Sequence, residues 1–269
     1  MAWNDIDLIF LDIDGTLIGS SGEVRAPIWS ALERLRDAGV ALCVNTGRPW
    51  GGIAAEIARR LGPDAPHVTH GGALVRTVDR TLHAEAIAPD DLAPLLATAA
   101  QHPEATLELY TAEAIYVAAH TDFSRRHADI LGMTSAVADL GAVARDAPVV
   151  KAQWIAATAR IHEVVSRTSA RFQIAEATSD AMPDVTFATL TRRGVDKGTA
   201  TRRAAAWLGR SLERAAAIGD SLSDLPMLTA VAHPFFMGTA PTPDGITRLP
   251  DVAKDGLLDA LRLLSGDAR

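Results

Sequence analysis

The sequence has little of what several protein classes need. Its 269 residues include a single cysteine, Cys43, so no disulfide can form within the chain. Aromatic residues make up only 5% of it, so the core must pack mainly through aliphatic side chains and alanine. No uncharged apolar run approaches the ~20 residues of a membrane helix. The first residues, 1–7, carry two acids and lack a signal-peptide pattern. We expect a soluble, cytoplasmic protein without a membrane partner.

Basic residues are fewer than acidic ones. Lysine and arginine total 26 and aspartate and glutamate 33, which gives a formal charge of −7. An acidic chain is a poor general binder of nucleic acid, so we expect no nucleic-acid partner. A phosphate ligand would need a local cation. The oligomeric state is left open.

Apolar runs and helical periodicity alternate at the start of the chain, and this alternation predicts a parallel sheet with helices on its faces. Between about residues 82 and 189 the pattern becomes a mixture of short strands and helices. After residue 189 the alternation of apolar strands and amphipathic helices returns. We predict an α/β fold whose core, residues 1–82 and 189–269, is interrupted by an α+β insert, residues 83–188. The predicted core strands and helices are Leu8–Leu11, Pro27–Ala38, Val40–Val44, Trp50–Leu61, His67–His70, Lys197–Leu208 and Arg214–Ile218.

An acid pair follows the first strand. Asp12 and Asp14 stand in Asp-Ile-Asp-Gly-Thr, where two carboxylates can share a divalent cation and the first can attack phosphorus. Asp14 can give a proton to a leaving alcohol and then act as base for water. A calcium loop is a competing interpretation, but its sixth position would be Leu17 where glycine is required. A solvated acidic turn is the other.

Three further segments carry polar groups at predicted strand ends and helix starts. Thr46, Gly47 and Arg48 follow the second strand, where a hydroxyl and backbone N–H groups can hold phosphate oxygens, although Thr-Gly is also ordinary turn chemistry. Arg48 either contacts substrate or closes a surface ion pair. Lys197 begins a helix and can neutralise a phosphate, whereas an isolated lysine is usually a solvated surface group.

The last segment contains Asp220 and Asp224, four residues apart after a predicted strand. They can reach one metal together. Helix capping by Asp220 and Ser221 is the alternative explanation.

In this order, the four motifs together resemble those of the haloacid dehalogenase superfamily of phosphohydrolases. The resemblance implies a Rossmann-like core, Asp12 as nucleophile and metal ligand, and Asp14 as acid/base that also binds metal through its carbonyl. It implies phosphate binding by Thr46, Gly47 and Lys197. Asp220 would be the main metal carboxylate with Asp224 in support. Magnesium is the expected ion because its ligands are oxygens.

The position of the insert between the threonine and lysine motifs resembles the Cof-type branch, which has a C2B cap. That branch implies hydrolysis of a small phosphorylated metabolite, with sugar phosphates favoured. His70 stands where the branch usually has asparagine, so we note it with Arg48 as a substrate-contact candidate. Ser223 replaces another common asparagine. In the insert, the polar candidates for substrate contact are His120, Arg125, Arg126, His127 and Lys151, of which the Arg-Arg-His run is typical of a solvated helix face.

Two other functions use similar residues. A phosphotransferase or phosphomutase on the same scaffold would share the aspartyl-phosphate but would not release inorganic phosphate. A phospho-accepting signalling receiver also uses an aspartate, a threonine and a lysine. Its phosphorylated aspartate follows a later strand, and a large insert is not expected there.

Overall fold

A computed structural model describes residues 6–19, 22–167, 169–179 and 181–265. The strands are β1 (Leu8–Leu11), β2 (Ala41–Val44), β3 (His67–Thr69), β4 (Leu74–Arg76), β5 (Thr81–Ala84), β6 (Thr106–Tyr110), β7 (Ile115–Val117), β8 (Ser135–Val137), β9 (Lys151–Ala157), β10 (Phe172–Ser179), β11 (Met182–Arg192), β12 (Ala215–Gly219), β13 (His233–Phe236) and β14 (Thr247–Arg248). The α-helices are α1 (Ala26–Asp37), α2 (Gly52–Leu61), α3 (Pro89–Gln101), α4 (Asp122–Leu131), α5 (Leu140–Asp146), α6 (Ile161–Val165), α7 (Lys197–Leu208), α8 (Leu225–Leu228) and α9 (Gly256–Ser265).

Five strands form a parallel sheet in the order β14-β13-β12-β1-β2. Its strand β1, which lies between β12 and β2, is buried along its whole length. Ile9 and Leu11 pack in one core cluster with residues of α1 and α9, and Leu8 and Phe10 pack in another with residues of α7. Burial on both faces explains why this strand is an unbroken apolar run instead of an alternating one.

Six strands form a second sheet, here called the mixed sheet, in the order β10-β11-β9-β6-β7-β8. All of them come from residues 106–192. On one face Leu107, Leu109, Ala152 and Trp154 pack in a core cluster with residues of α3, α5 and α6. Side chains on neighbouring strand positions point to opposite faces, so Glu108, Tyr110, Lys151 and Gln153 belong to the other face. The fold therefore presents a polar sheet face.

A third, antiparallel sheet has the order β3-β4-β5. It adjoins the parallel sheet through a bridge between Asn45 and Val68. A 3-10 turn over His70–Gly72 joins β3 to β4. Other short 3-10 turns are Ser169–Arg171, Leu212–Arg214, Leu222–Asp224 and Val252–Lys254.

The predicted fold class is confirmed: a parallel-sheet α/β core accompanied by further sheets. Several predicted elements differ from the observed ones at their ends. The strand predicted over 67–70 stops at Thr69, because His70 has a left-handed backbone (φ 55°). After β12, the 3-10 turn over Leu222–Asp224 leads into the short helix α8. The domain boundaries near 82 and 188 remain a prediction.

No helix among the described residues is long and apolar enough to span a bilayer.

Helix α7 approaches α8 closely at Gly198. A Cβ at this position would lie 2.2 Å from the carbonyl oxygen of Pro226. Since backbone cannot move aside as a flexible side chain can, we predict that Gly198→Ala lowers the free energy of unfolding by about 1–3 kcal/mol. Urea unfolding measures this.

The matched control is Gly62→Ala, whose Cβ would lie at an ordinary 3.6 Å from the Cβ of Ala65. Gly62 has an extended φ of 172°. This variant should unfold nearly as wild type does; equal losses in both variants would contradict the close-approach argument.

Candidate active site

Three loops converge at the carboxyl ends of β1, β2 and β12. Asp12 follows β1 directly, Thr46 lies two residues beyond β2, and Asp220 follows β12 directly. The backbone N–H of Asp12 donates to the carbonyl of Ile218 at 3.0 Å, which places the first and last acidic loops side by side. Carboxyl ends of parallel strands are the usual place for ligands in such sheets.

Lys197 lies between two of the predicted acids. It is the first residue of α7, whose N-terminus is capped by the side chain of Asp196. The Lys197 side chain is buried, with Nζ 2.7 Å from Asp12 Oδ1 and 2.5 Å from Asp224 Oδ1. The interpretation of Lys197 as a solvated surface lysine is therefore wrong. The sequence placed three charged groups at three separated positions, and the fold brings them into contact.

The site holds more negative than positive charge. Carboxylate oxygens of Asp12, Asp220 and Asp224 lie within 4.8 Å of one another. Burial, followed by repulsion from Asp224, raises the pKa of Asp12 well above its usual value. The same two causes raise the pKa of Asp220 to about 7. Burial opposes the charge on Lys197, but Asp12 and Asp224 together raise the pKa of its ammonium above the ordinary value.

These three carboxylates fit a divalent cation. They are hard oxygen ligands, as magnesium and calcium require. Gly15 leaves room for the cluster: its φ is +79°, and a Cβ there would lie 2.1 Å from Asp220 Oδ2. One ammonium cannot balance three closely spaced carboxylates, so a bound cation would relieve their repulsion.

Asp224 also holds the loop that carries Asp220. Its Oδ2 accepts hydrogen bonds from the backbone N–H groups of Asp220 (3.2 Å) and Ser221 (3.0 Å) and from Ser221 Oγ (2.9 Å). Ser221 forms a capping box with Asp224. Ser221, one of the two residues in the alternative capping explanation, is thus at the N-cap, and Asp220 and Asp224 both belong to the acid cluster.

Asp14 lies apart from the acid cluster. Its carboxylate pairs with Arg48 in two hydrogen bonds, from Nε at 2.8 Å and from Nη2 at 2.7 Å. Arg48 Nη1 donates to the carbonyl of Ile130 in α4, at 2.8 Å. Arg48 is buried although half of the Asp14 side chain is exposed. The ion pair predicted as one option for Arg48 is present, and it links an acid of the site to the helix that packs on the mixed sheet.

The loop after β2 is fixed by two residues. Thr46 is buried, and its Oγ1 accepts a hydrogen bond from the backbone N–H of Arg48 at 3.2 Å. Asn45 Nδ2 donates to the carbonyl of Lys197 (3.0 Å) and to Thr201 Oγ1 (2.9 Å). Asn45 therefore joins the Thr46 loop to the start of α7.

His70 lies between the core and the mixed sheet. Its Nδ1 is 3.0 Å from Thr69 Oγ1, and its ring meets Tyr110 edge-on with centroids 6.1 Å apart. Burial first, and then the nearby charge of Lys151, lowers the pKa of His70 to about 3. His70 is a neutral, buried contact between sheets and is not part of the carboxylate cluster.

The candidates in the insert separate into two groups. Lys151 and His127 are buried, whereas His120, Arg125 and Arg126 are exposed. Lys151 Nζ donates to the carbonyl of Gly47 at 3.0 Å. The mixed sheet therefore contacts the Thr46 loop directly.

Sequence reasoning missed several residues around the site. Thr16 Oγ1 donates to Asp220 Oδ1 at 3.3 Å. Glu108 Oε2 accepts hydrogen bonds from the Tyr110 hydroxyl and from His127 Nδ1, the latter at 2.9 Å. Glu108 and Tyr110 alternate with leucines on one strand, and this period-two pattern of polar residues was an available signal.

A model of the haloacid dehalogenase-like hydrolases matches residues 9–243. The chain belongs to this hydrolase family, as its four motifs predicted. The match includes Asp12, Thr46, Lys197 and Asp220, all of which the fold gathers at one edge of the parallel sheet. No curated protein matches the sequence significantly.

Solved structures share the fold over nearly the whole chain. A protein from Geobacillus kaustophilus is 22% identical with a TM-score of 0.77, covering 97% of this chain and 99% of its own. The phosphatase BT1666 from Bacteroides thetaiotaomicron is 22% identical with a TM-score of 0.77, covering 97% and 95%. The subclass IIB sugar phosphatase BT4131 is 21% identical with a TM-score of 0.81, covering 96% and 99%.

We predict that magnesium raises the melting temperature of the wild type and raises that of Asp220→Asn much less. The substitution removes one carboxylate of the cluster without changing its size. Saturation at about 100 times the dissociation constant should add about 2.7 kcal/mol of stability. Thermal unfolding with and without the metal measures both proteins.

Glu104→Gln is the control. Glu104 belongs to a separate, largely exposed group with His102 and Glu163, so its removal should leave the magnesium effect intact. An equal magnesium effect on wild type and Asp220→Asn would place the cation elsewhere.

Proposed function

We propose that this hydrolase is a magnesium-dependent phosphatase that cleaves a small phosphomonoester, with a sugar phosphate as the favoured substrate, through an aspartyl-phosphate on Asp12. The observation that supports this most is the buried ammonium of Lys197, which contacts Asp12 beside two further carboxylates. Such a centre can attract a phosphate dianion to a carboxylate nucleophile only when cations offset the repulsion between them.

Asp12 is the best candidate for the nucleophile. Both oxygens of Asp224 already accept hydrogen bonds. Asp220 accepts one from Thr16 and lies on the loop that Asp224 holds. Asp12 accepts a hydrogen bond from Lys197 on one oxygen, and it stands at the end of β1, a buried strand paired on both sides. A nucleophile on such an element is held in a fixed position.

Asp12 and Asp220 would hold the magnesium, with Asp14 contributing its carbonyl and Asp224 supporting the loop. When bound, the ion would offset negative charge on the phosphoryl oxygens. Thr46, the N–H of Gly47 and Lys197 would bind the remaining oxygens. Donors of this kind stabilise the charge that develops as the phosphoryl group transfers.

The reaction has two steps. An Asp12 carboxylate oxygen attacks phosphorus, the bond from phosphorus to the leaving oxygen breaks, and protonated Asp14 donates its proton to that oxygen. The ionised Asp14 then takes a proton from water, which attacks the same phosphorus. Inorganic phosphate leaves and the Asp12 carboxylate is restored. Asp14 must separate from Arg48 to act in this way, since the guanidinium occupies both of its carboxylate oxygens.

The favoured substrate class rests on two supports. The structural neighbour BT4131 is a sugar phosphatase. The polar face of the mixed sheet contacts the Thr46 loop through Lys151, where it can meet the hydroxyl groups of a leaving alcohol. We propose that residues 83–188 form a cap that covers substrate and excludes water.

Phosphate release tests the proposal. Wild type, given phosphorylated sugars, nucleotides and an aryl phosphate, should release phosphate with magnesium and not with a chelator. Asp12→Asn should lose essentially all activity, because an amide is not a nucleophile toward phosphorus. Colorimetric phosphate measurement gives the rates.

Arg126→Met is a suitable control because Arg126 is exposed and, within the part of the chain that the structure describes, donates to the backbone carbonyl of Ala181. It should retain wild-type turnover. Full activity in Asp12→Asn would exclude the aspartyl-phosphate route. Transfer of phosphate to a second sugar without release would instead establish a phosphotransferase.

A second prediction concerns Asp14→Asn. An aryl phosphate has a good leaving group that needs little protonation, so Asp12 should still be phosphorylated. Without the base, attack by water should slow by about 10²–10⁴-fold. Intact-protein mass spectrometry should therefore detect one added phosphoryl group in this variant. A wild-type steady-state rate with no adduct would rule out Asp14 as the acid/base.

A further inference from the structure

Lys151 is a buried cation of the mixed sheet. Only 2% of its surface is exposed, and it begins β9 on the polar face. Its ammonium lies 3.0 Å from the carbonyl of Gly47 and 4.5 Å from the centre of the Tyr110 ring. Both partners are uncharged. The charge is thus directed at the loop that follows β2, next to Thr46.

This ammonium has no ion-pair partner within 4.0 Å among the described residues. The charge of Glu108 favours the protonated form of Lys151, but the Glu108 carboxylate already accepts hydrogen bonds from Tyr110 and His127. Burial lowers the pKa of Lys151 to about 7, and the nearby Arg48 acts in the same direction. A buried charge with only neutral partners is unfavourable, and an anion in contact with it would remove that cost.

The neighbourhood contains a second cation and open space. The Arg48 guanidinium is also buried and has Asp14 as its acidic partner. A Cβ built on Gly47 would meet no heavy atom within 4 Å, so the side of the loop at Gly47 is unfilled. Farther along the same sheet face, Gln153 accepts a hydrogen bond from Thr189. A ligand that extends from the Thr46 loop toward the mixed sheet would meet Lys151 first.

We propose that Lys151 forms a subsite for a second anionic group, a carboxylate or a second phosphate, carried by the leaving-group part of the phosphomonoester. This inference rests on the proposed phosphatase function and narrows its substrate class. Lys197 is paired with Asp12 and Asp224 in the proposed catalytic centre, whereas Lys151 lies on the mixed sheet and has no acid within 4.0 Å among the described residues. The substrate supplies that acid.

The test uses compounds that differ in one anionic group. 3-Phosphoglycerate and glycerol 3-phosphate differ by a carboxylate, and fructose 1,6-bisphosphate and fructose 6-phosphate differ by a phosphate. Wild type should prefer the more anionic member of at least one pair in kcat/KM. Lys151→Met should reduce that preference by roughly tenfold to hundredfold, as expected for a charge-assisted hydrogen bond. Lys151→Arg should retain most of it, and the pair that responds identifies the anion.

Arg126→Met, which removes an exposed cation from the same region, should keep the wild-type preference. Equal losses on both members of each pair in Lys151→Met would assign Lys151 to the transferred phosphoryl group and overturn the proposal. So would a wild-type enzyme that shows no preference. Turnover without preference defeats this inference alone, whereas no release from any compound defeats the phosphatase proposal.

Binding provides a second measurement that does not depend on turnover. Calorimetry with Asp12→Asn, which cannot be phosphorylated at this position, should show tighter binding of the more anionic compound. Adding Lys151→Met should abolish the difference. Equal affinities in both backgrounds would overturn the subsite even if turnover were absent.

Discussion

The contact of one buried ammonium with two carboxylates organises this molecule. Lys197 Nζ joins Asp12, at the end of the first strand, to Asp224, in the last acidic loop. The residues are separated by 185 and 27 positions along the chain. Removing either partner of such a buried pair leaves an uncompensated charge, which is strongly unfavourable. The contact therefore fixes the two core segments relative to each other as well as assembling the site.

Other residues of the core hold Lys197 in position for this contact. Asp196 caps the helix that carries Lys197, and Asn45 binds the carbonyl of Lys197. Gly198 allows the same helix to approach Pro226. Asn45 and Gly198 are poor choices for stability in isolation, since buried polar groups cost free energy and glycine weakens helices. Their presence follows from the need to hold an ammonium at one position.

Much of this could be predicted from the sequence, for identifiable reasons. Strand β1 was predicted with its exact ends because four consecutive apolar residues stop at Asp12. The chemistry of the motifs and their order then indicated the family. Strand β8 and helix α5 were not predicted, because their segments are short and mostly not buried. The contacts of the mixed sheet could not be predicted from the sequence. Lys151 and Arg126 are both basic residues of the insert, and tertiary packing alone determines that Lys151 is buried and Arg126 is exposed.

As the proposed acid/base, Asp14 must become free to transfer a proton. Arg48 binds Asp14 through two nitrogens and the carbonyl of Ile130 through the third. Ile130 lies near the end of α4, where the negative end of the helix dipole favours a guanidinium. Movement of α4 away from the core would remove this third contact and expose Arg48 to water, which weakens its attraction for Asp14. Arg48 hydrogen-bonds to both Ile130 and Asp14. The position of α4 therefore affects whether the proposed acid/base is free.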